Sequence, residues 1–407
     1  MIPGSNDKAS FYMARQPIYD RKMRLVGYEL LYRKGFKTLT SEMTAADELN
    51  ALANVLVEVG LDRLAGSSRA FINVPQSLLG CDALRLLPPD RVTLEILEDT
   101  EWTEDVGEQI RDLKEEGYHL ALDDYVFEER HEPFLAYVDV VKVDILSMSR
   151  SDLARNLHSI RRDHQLYLAE KVESYEDLAH CKDIGFDFFQ GYFFSKPNTV
   201  RGSGVPANYA LSMSLLAKLQ DPEINMNELE SLIVGNVALC HKVLRLVNCA
   251  ANGLTRPVES IQQAVLFLGT ARIRTLASLA VMTSLPGKPN ELYNLAMVRA
   301  KFCETLARDA KFENPEKHFT VGLLSVLDAL TDLPMEEVIS ELPLSSEVSD
   351  ALTGSDLDTP CSRTLRHTLS HEQGEWSQAE AELADTTTHS YLDAVQWAFD
   401  QEQQMAA

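Results

Sequence analysis

Basic residues are in short supply. The chain of 407 residues carries 38 Lys and Arg against 62 Asp and Glu, a formal net charge of −24. Affinity for polyphosphate comes largely from clustered Lys and Arg, so direct nucleic-acid binding is disfavoured. Long hydrophobic runs are also missing: FFQGYFF and SLAVMTSL fall far short of the ~20 apolar residues a membrane helix needs. The opening MIPGSNDKAS lacks the charged start and apolar core of a signal peptide. These absences together place the expected protein in the cytoplasm, away from membranes. Six cysteines lie scattered at 81, 181, 240, 249, 303 and 361 with no CxxC pair. They read as buried or partly buried small hydrophobes, and a Cys-based zinc site is disfavoured. The acid is uneven: residues 331–407 hold 16 Asp and Glu against 2 Arg, which reads as a solvated helical face ahead of an interaction tail.

What the chain does have is a change of period. Up to residue ~200, short apolar or β-branched stretches alternate with helix-like ones. The strand candidates are RLVGYELLYR, RAFINV, RVTLEIL, YHLALDDY, VDVVKVDI, QLYLAEKV and FDFFQGYFF. Helix candidates lie between them at 44–60, 103–117, 149–162 and 174–184. Repeated strand–helix units imply a parallel sheet, and strands ending in polar residues fit a (β/α) barrel better than an open sheet. MARQPIYD followed by the turn-like DRKMR suggests an opening hairpin that modifies a plain barrel. SKPNTVRGSGVPAN reads as a linker, and helical patterns then run almost throughout. The expected architecture is α/β: a modified TIM-type barrel over 1–200, followed by an all-α domain over 206–395.

The polar strand ends carry the chemistry. Glu29, Asn73, Glu95, Asp123, Asp124, Lys142, Asp144, Glu170, Glu173 and Gln190 are each flanked by apolar residues. A charge within an apolar strand is costly unless paired or ligating a metal. In a barrel, consecutive strand ends converge on one mouth. Carboxylates gathered there repel one another and need a counter-charge, for which Mg²⁺ or Mn²⁺ is suited. Two such ions would suit phosphodiester hydrolysis. A degenerate binding relic of such a site remains the alternative.

These residues resemble the EAL domains, which hydrolyse cyclic di-GMP to the linear dinucleotide pGpG; the likeness covers residues ~11–200. ELLYR matches the Glu-Ala-Leu-x-Arg signature. The resemblance implies Glu29 as a metal ligand and Arg33 as a phosphate contact, with Gln16 also on the substrate. It implies Asn73, Glu95, Asp123 and Asp124 as further ligands of two Mg²⁺ or Mn²⁺ ions, with Asp124 bridging toward the second. The K-x-D strand falls on Lys142, which would help position the water. AEKVE makes Glu170 the general base and Glu173 an orienting residue, and QGYFFSKP sets Gln190 facing the metal site. The sequence departs from the family twice. The D-D-F-G-x-G loop, which helps place the second metal and forms part of a dimer contact, reads DDYVFEE. AEGVE has become AEKVE, and if position 171 needs a positive φ, Lys171 would shift Glu170 or Glu173. A homodimer is a possible assembly.

The second half, through VALCHKVLRLVN, ESIQQAVLFLG and GLLSVLDAL, resembles HDOD domains, which derive from the HD hydrolases. The superfamily's metal-binding His-Asp pair would follow GLL, where Ser325 and Val326 stand; Asp328 is on another helical face. His241 reads as a packed or surface residue, and His318 has no visible partners. Arg245, Arg272 and Arg274 read as the solvated edge of helices. The expected role of this half is regulation, through a signalling protein that the sequence does not identify.

Overall fold

The computed structural model describes residues 11–34, 60–196, 207–221, 223–249, 256–285, 288–375 and 387–406. The candidate helix at 44–60 lies almost wholly outside them. The chain divides into two compact units, Met1–Phe193 and Phe194–Ala407.

The first unit is a closed barrel whose strands follow chain order: β1 Phe11–Asp20, β2 Leu25–Lys34, β3 Arg69–Val74, β4 Val92–Ile96, β5 His119–Leu122, β6 Val140–Asp144, β7 Leu166–Glu170 and β8 Phe188–Gln190. All neighbours are parallel except β1, which runs antiparallel to both β2 and β8. The expected opening hairpin is therefore present. Its turn is set by Asp20, whose carboxylate accepts the Lys22 and Arg24 amides at 2.8 and 2.9 Å. Such an Asx turn is local chemistry, which is why the sequence shows it.

Between strands, the helices Glu104–Glu115, Arg150–Ile160 and Tyr175–Ile184 form where expected. Each begins at a Thr or Ser whose hydroxyl accepts an amide of the first turn: Thr103 from Val106, Ser149 from Asp152, Ser174 from Asp177. These caps satisfy amides that a helix start otherwise leaves unpaired.

Strand side chains alternate with period two, so inward residues stack in layers. Ile18, Phe71, Ala121, Val140 and Leu168 are buried and, with Phe188, fill one layer. The next inward positions are Gln16, Asn73, Asp123, Lys142, Glu170 and Gln190. Apolar floor and polar mouth are thus two layers of one barrel. On β2 the floor position is Gly27. A Cβ there would come 2.4 Å from Arg69 O and 3.0 Å from the Phe71 ring, so glycine leaves Phe71 the space beneath Glu29.

The second unit is helical. Asn290–Asp309 is its central helix, packed by Pro315–Leu324, Pro360–Glu372 and Thr387–Ala406. Cys303, Val321, Val348, Ala351, Cys361 and Leu365 form a buried cluster. All six cysteines of the chain are free, four of them buried. Glycines punctuate the helical patterns. ELESLIVGNVALCHKVLRLVN divides at Gly235–Asn236, where Asn236 caps the helix Val237–Val247 by accepting from Leu239 N. Ile261–Leu268 and Thr270–Met282 are separated at Gly269. Among the described residues, no helix is long and apolar enough to cross a membrane.

His318 gains a partner that the sequence did not show: its Nδ1 lies 2.8 Å from Thr364 Oγ1, and its ring stacks on Phe312 at 5.7 Å. Burial pushes its pKa from 6.5 down to about 4. A depressed folded-state pKa gives stability that is present above the unfolded value and lost as pH falls through the folded one. Between pH 7 and pH 4, the wild type should lose about 3 kcal/mol relative to His318→Asn. Calorimetry across that range checks this, and a constant gap between the two proteins would contradict it.

Candidate active site

The register brings the strand-end residues level. Gln16 pairs with Glu29, Asn73 with Glu95, and Asp144 with Glu170. At their centre is Lys142, fully buried, with its Nζ 2.6 Å from Asp123 Oδ1, 2.8 Å from Glu95 Oε1, 3.0 Å from Glu170 Oε1 and 3.3 Å from Glu29 Oε2. Gln190 closes the ring, its Nε2 donating to Glu29 Oε2 at 2.5 Å and to Gln16 Oε1 at 2.9 Å. Asn73 Nδ2 lies 3.5 Å from Glu29 Oε1. Gln16 in turn donates to the Tyr192 hydroxyl at 3.2 Å, and no sequence motif singles out Tyr192.

Gly191 makes the position of Gln190 possible. Its φ is +145°, and a Cβ there would lie 2.2 Å from Val172 O. The Gln-Gly pair thus has a steric basis, since the backbone following Gln190 presses against the loop after β7.

One ammonium cannot neutralise four carboxylates. Burial raises the Glu95 carboxyl well above the ordinary range, and the Glu29 and Asp123 carboxylates add to it against the pull of Lys142. Burial likewise raises Glu170 to about 8, opposed by Lys142 and reinforced by Asp123, Glu29 and Asp124. Burial alone would lower Lys142, but Glu170, Glu29, Glu95 and Asp123 together hold it well above the usual lysine range. The layer is short of positive charge.

The donor set suits a hard divalent cation. It is all oxygen, it carries excess negative charge, and Glu95 Oε2, Glu170 Oε2 and Gln190 Oε1 are buried without a hydrogen-bond donor. The point where the carboxylates converge is held by the Lys142 ammonium. Among the described residues, no three acidic, His or Cys side chains surround a common open point.

The remaining expected residues are placed less centrally. Asp124 follows Asp123 at φ +37°, with a side chain 3.7 Å from Lys171 Nζ. Glu173 is exposed, outside the ring around Lys142. Arg33 lies on β2 opposite Tyr12; its side chain is outside the described residues. Lys171 adopts φ +57°, and Glu170 remains in the ring beside it.

The loop DDYVFEE has lost its glycines and is held by other means. Tyr125 is buried against Phe127 and His131, and its amide donates to Lys142 O at 2.9 Å. His131 sets its two ring nitrogens 3.1 Å from Val126 O and Glu98 O. Both anchors are long-range contacts.

In the helical unit, the place of the HD pair is filled differently. Arg299 is buried and forks onto Glu372 with contacts of 2.9 to 3.1 Å, while its other nitrogen donates to Ser325 Oγ at 3.2 Å. Asp328 is turned away, capping the amide of Ala329. His241 is exposed. Arg272 is not a solvated edge: its guanidinium lies 5.6 Å from both the Phe319 and Trp397 rings and 3.7 Å from Glu304.

Fold and mouth define a barrel of the (β/α) class with a carboxylate-rich centre at its strand ends. The EAL domain family model matches residues 5–197 and the HDOD domain model residues 205–342. The cyclic di-GMP phosphodiesterase CdgJ of Vibrio cholerae is 34% identical over 403 residues, covering 96% of this chain and 92% of its own length. The uncharacterized protein YuxH of Bacillus subtilis is 30% identical over 401 residues, covering 95% and 97%. A manganese/cyclic-di-GMP complex of BlrP1 from Klebsiella pneumoniae is 21% identical, with a TM-score of 0.37, over 47% of this chain and 56% of that one. The chain belongs to the family of proteins that join an EAL domain to an HDOD domain, and it is a homologue of the phosphodiesterase CdgJ.

Proposed function

We propose that the barrel hydrolyses cyclic di-GMP to pGpG with Mg²⁺ or Mn²⁺ as cofactor, and that the helical unit regulates it through a protein partner. The observation that carries this reading is the under-neutralised ring of Glu29, Glu95, Asp123 and Glu170 about Lys142, in a homologue of a cyclic di-GMP phosphodiesterase. Glu29, Asn73, Glu95 and Asp123 would hold the metal, and Asp124 lies beside them at the Lys171 ammonium. When bound, the metal would supply Lewis acidity and an activated water.

The chain's own groups do the rest. Arg33 and Gln16 hold the phosphodiester, where a guanidinium fork matches two phosphate oxygens. Glu170 accepts the proton of the attacking water, Lys142 positions that water, and Glu173 orients the base. In the metal-free protein, burial raises the Glu170 carboxyl to about 8. Positive charge added beside it lowers that value and frees the carboxylate to act as a base. Replacing Glu170 by Gln should cut kcat by about 10²–10⁴-fold while cyclic di-GMP still raises the melting temperature. Retained turnover in Glu170→Gln would remove it as the base.

A second reading is a barrel that binds without hydrolysing. It is supported by the Lys142 ammonium at the convergence point and by a DDYVFEE loop built on aromatic packing. Nucleotide-induced thermal stabilisation with no linear product under either metal would favour it.

A further inference from the structure

Charge balance divides the mouth into two groups. Lys142 alone serves Glu29, Glu95, Asp123 and Glu170, which leaves that group well short of positive charge. Beside it, Asp124 and Asp144 have an ammonium of their own. Lys171 Nζ donates to Asp144 Oδ2 at 2.6 Å and lies 3.7 Å from Asp124 Oδ1, an oxygen that is buried and accepts no hydrogen bond. Asp144 is committed further, accepting the Leu146 amide at 2.8 Å. This second group has two carboxylates to one ammonium, against four to one in the first.

The backbone supports the same conclusion. Lys171 has φ +57°, in the left-handed region that favours glycine and that other residues occupy at a cost. A glycine would meet no such cost but would bring no charge. The position one residue beyond Glu170, level with the end of β6, is where a long cationic side chain reaches both Asp124 and Asp144.

We propose that the Lys171 ammonium takes the place of a second cation, so that the barrel holds a single divalent ion, in the Glu29–Asn73–Glu95–Asp123 group. The proposal rests on the reading of the mouth as a metal centre. A dication about 4 Å from an ammonium is repelled roughly 30-fold in binding even at the dielectric of bulk water, so a second ion binds Asp124 and Asp144 that much more weakly while Lys171 is paired with them.

The test is a count. The full-length protein, freed of metal, is titrated with Mn²⁺, and free ion is followed by electron paramagnetic resonance. The wild type and Lys171→Arg, which keeps the charge, should each bind one equivalent. Lys171→Gly, which suits the backbone and removes the charge, should bind two, the second at least tenfold tighter than any second ion in the wild type. Two equivalents in the wild type, or one in Lys171→Gly, overturns the proposal and leaves the metal centre standing. No ion bound by any of the three proteins overturns the metal centre itself, and the proposal with it.

Discussion

Replacing Lys142 by Met will lower the stability of the metal-free protein by about 3–5 kcal/mol at pH 8, because it removes the ammonium at the centre of the buried carboxylates. For a unit of this size, that corresponds to a fall of roughly 10 °C in the barrel's melting temperature. The loss should shrink toward pH 5. Glu95 and Glu170 already have raised pKa values; without Lys142 they rise further and take up protons in place of the missing charge. Saturating Mn²⁺ should recover most of the stability, since an ion that binds only the folded state stabilises by mass action and supplies the absent positive charge. Turnover should not recover, because nothing then positions the water. Calorimetry of the full-length chain at both pH values, with and without Mn²⁺, separates these effects. A metal-free melting temperature within 1–2 °C of wild type at pH 8 would show that the carboxylates do not depend on Lys142.

The second large effect lies in the helical unit. Arg299 and Glu372 are both about 6% exposed at their side chains and are joined through three contacts. Arg299→Met removes the guanidinium that forks onto the buried Glu372 and should cost about 3–5 kcal/mol. Adding Glu372→Leu should restore most of that loss, because a buried pair replaced on both sides by apolar residues is often near neutral. Denaturant unfolding of the single and double variants measures the difference. A double variant no more stable than the single would mean that the pair contributes more than mutual charge compensation. It would point to Ser325, the third member of the group, as part of a network that fixes the helices.

The strand-end chemistry was legible because it follows from period two. Each polar residue at the mouth lies two positions from a floor residue on the same strand, and the eye finds Phe71–Asn73 or Leu168–Glu170 without a structure. The hairpin was legible because Asp20 makes its turn locally. What stayed hidden depends on residues distant in sequence. Nothing in DDYVFEE shows that the Tyr125 amide will reach Lys142 O, or that His131 will reach Glu98 O. Arg272 looked like the edge of an amphipathic helix because Phe319 and Trp397 lie far along the chain. The replacement of glycine by Lys171 was visible, but its two ion pairs were not.

A working, metal-dependent phosphodiesterase centre in the ring around Lys142 has a chemical readout. Cyclic di-GMP is followed by chromatography with the purified full-length protein in Mg²⁺, in Mn²⁺ and in chelator, alongside Glu29→Ala. The expected result is linear pGpG from the wild type with metal, none in chelator, and at least a 10²-fold loss in Glu29→Ala, the order seen when one transition-state contact is removed. No product from the wild type under either metal, with Glu29→Ala indistinguishable from it, would contradict that expectation and leave a barrel that binds without hydrolysing.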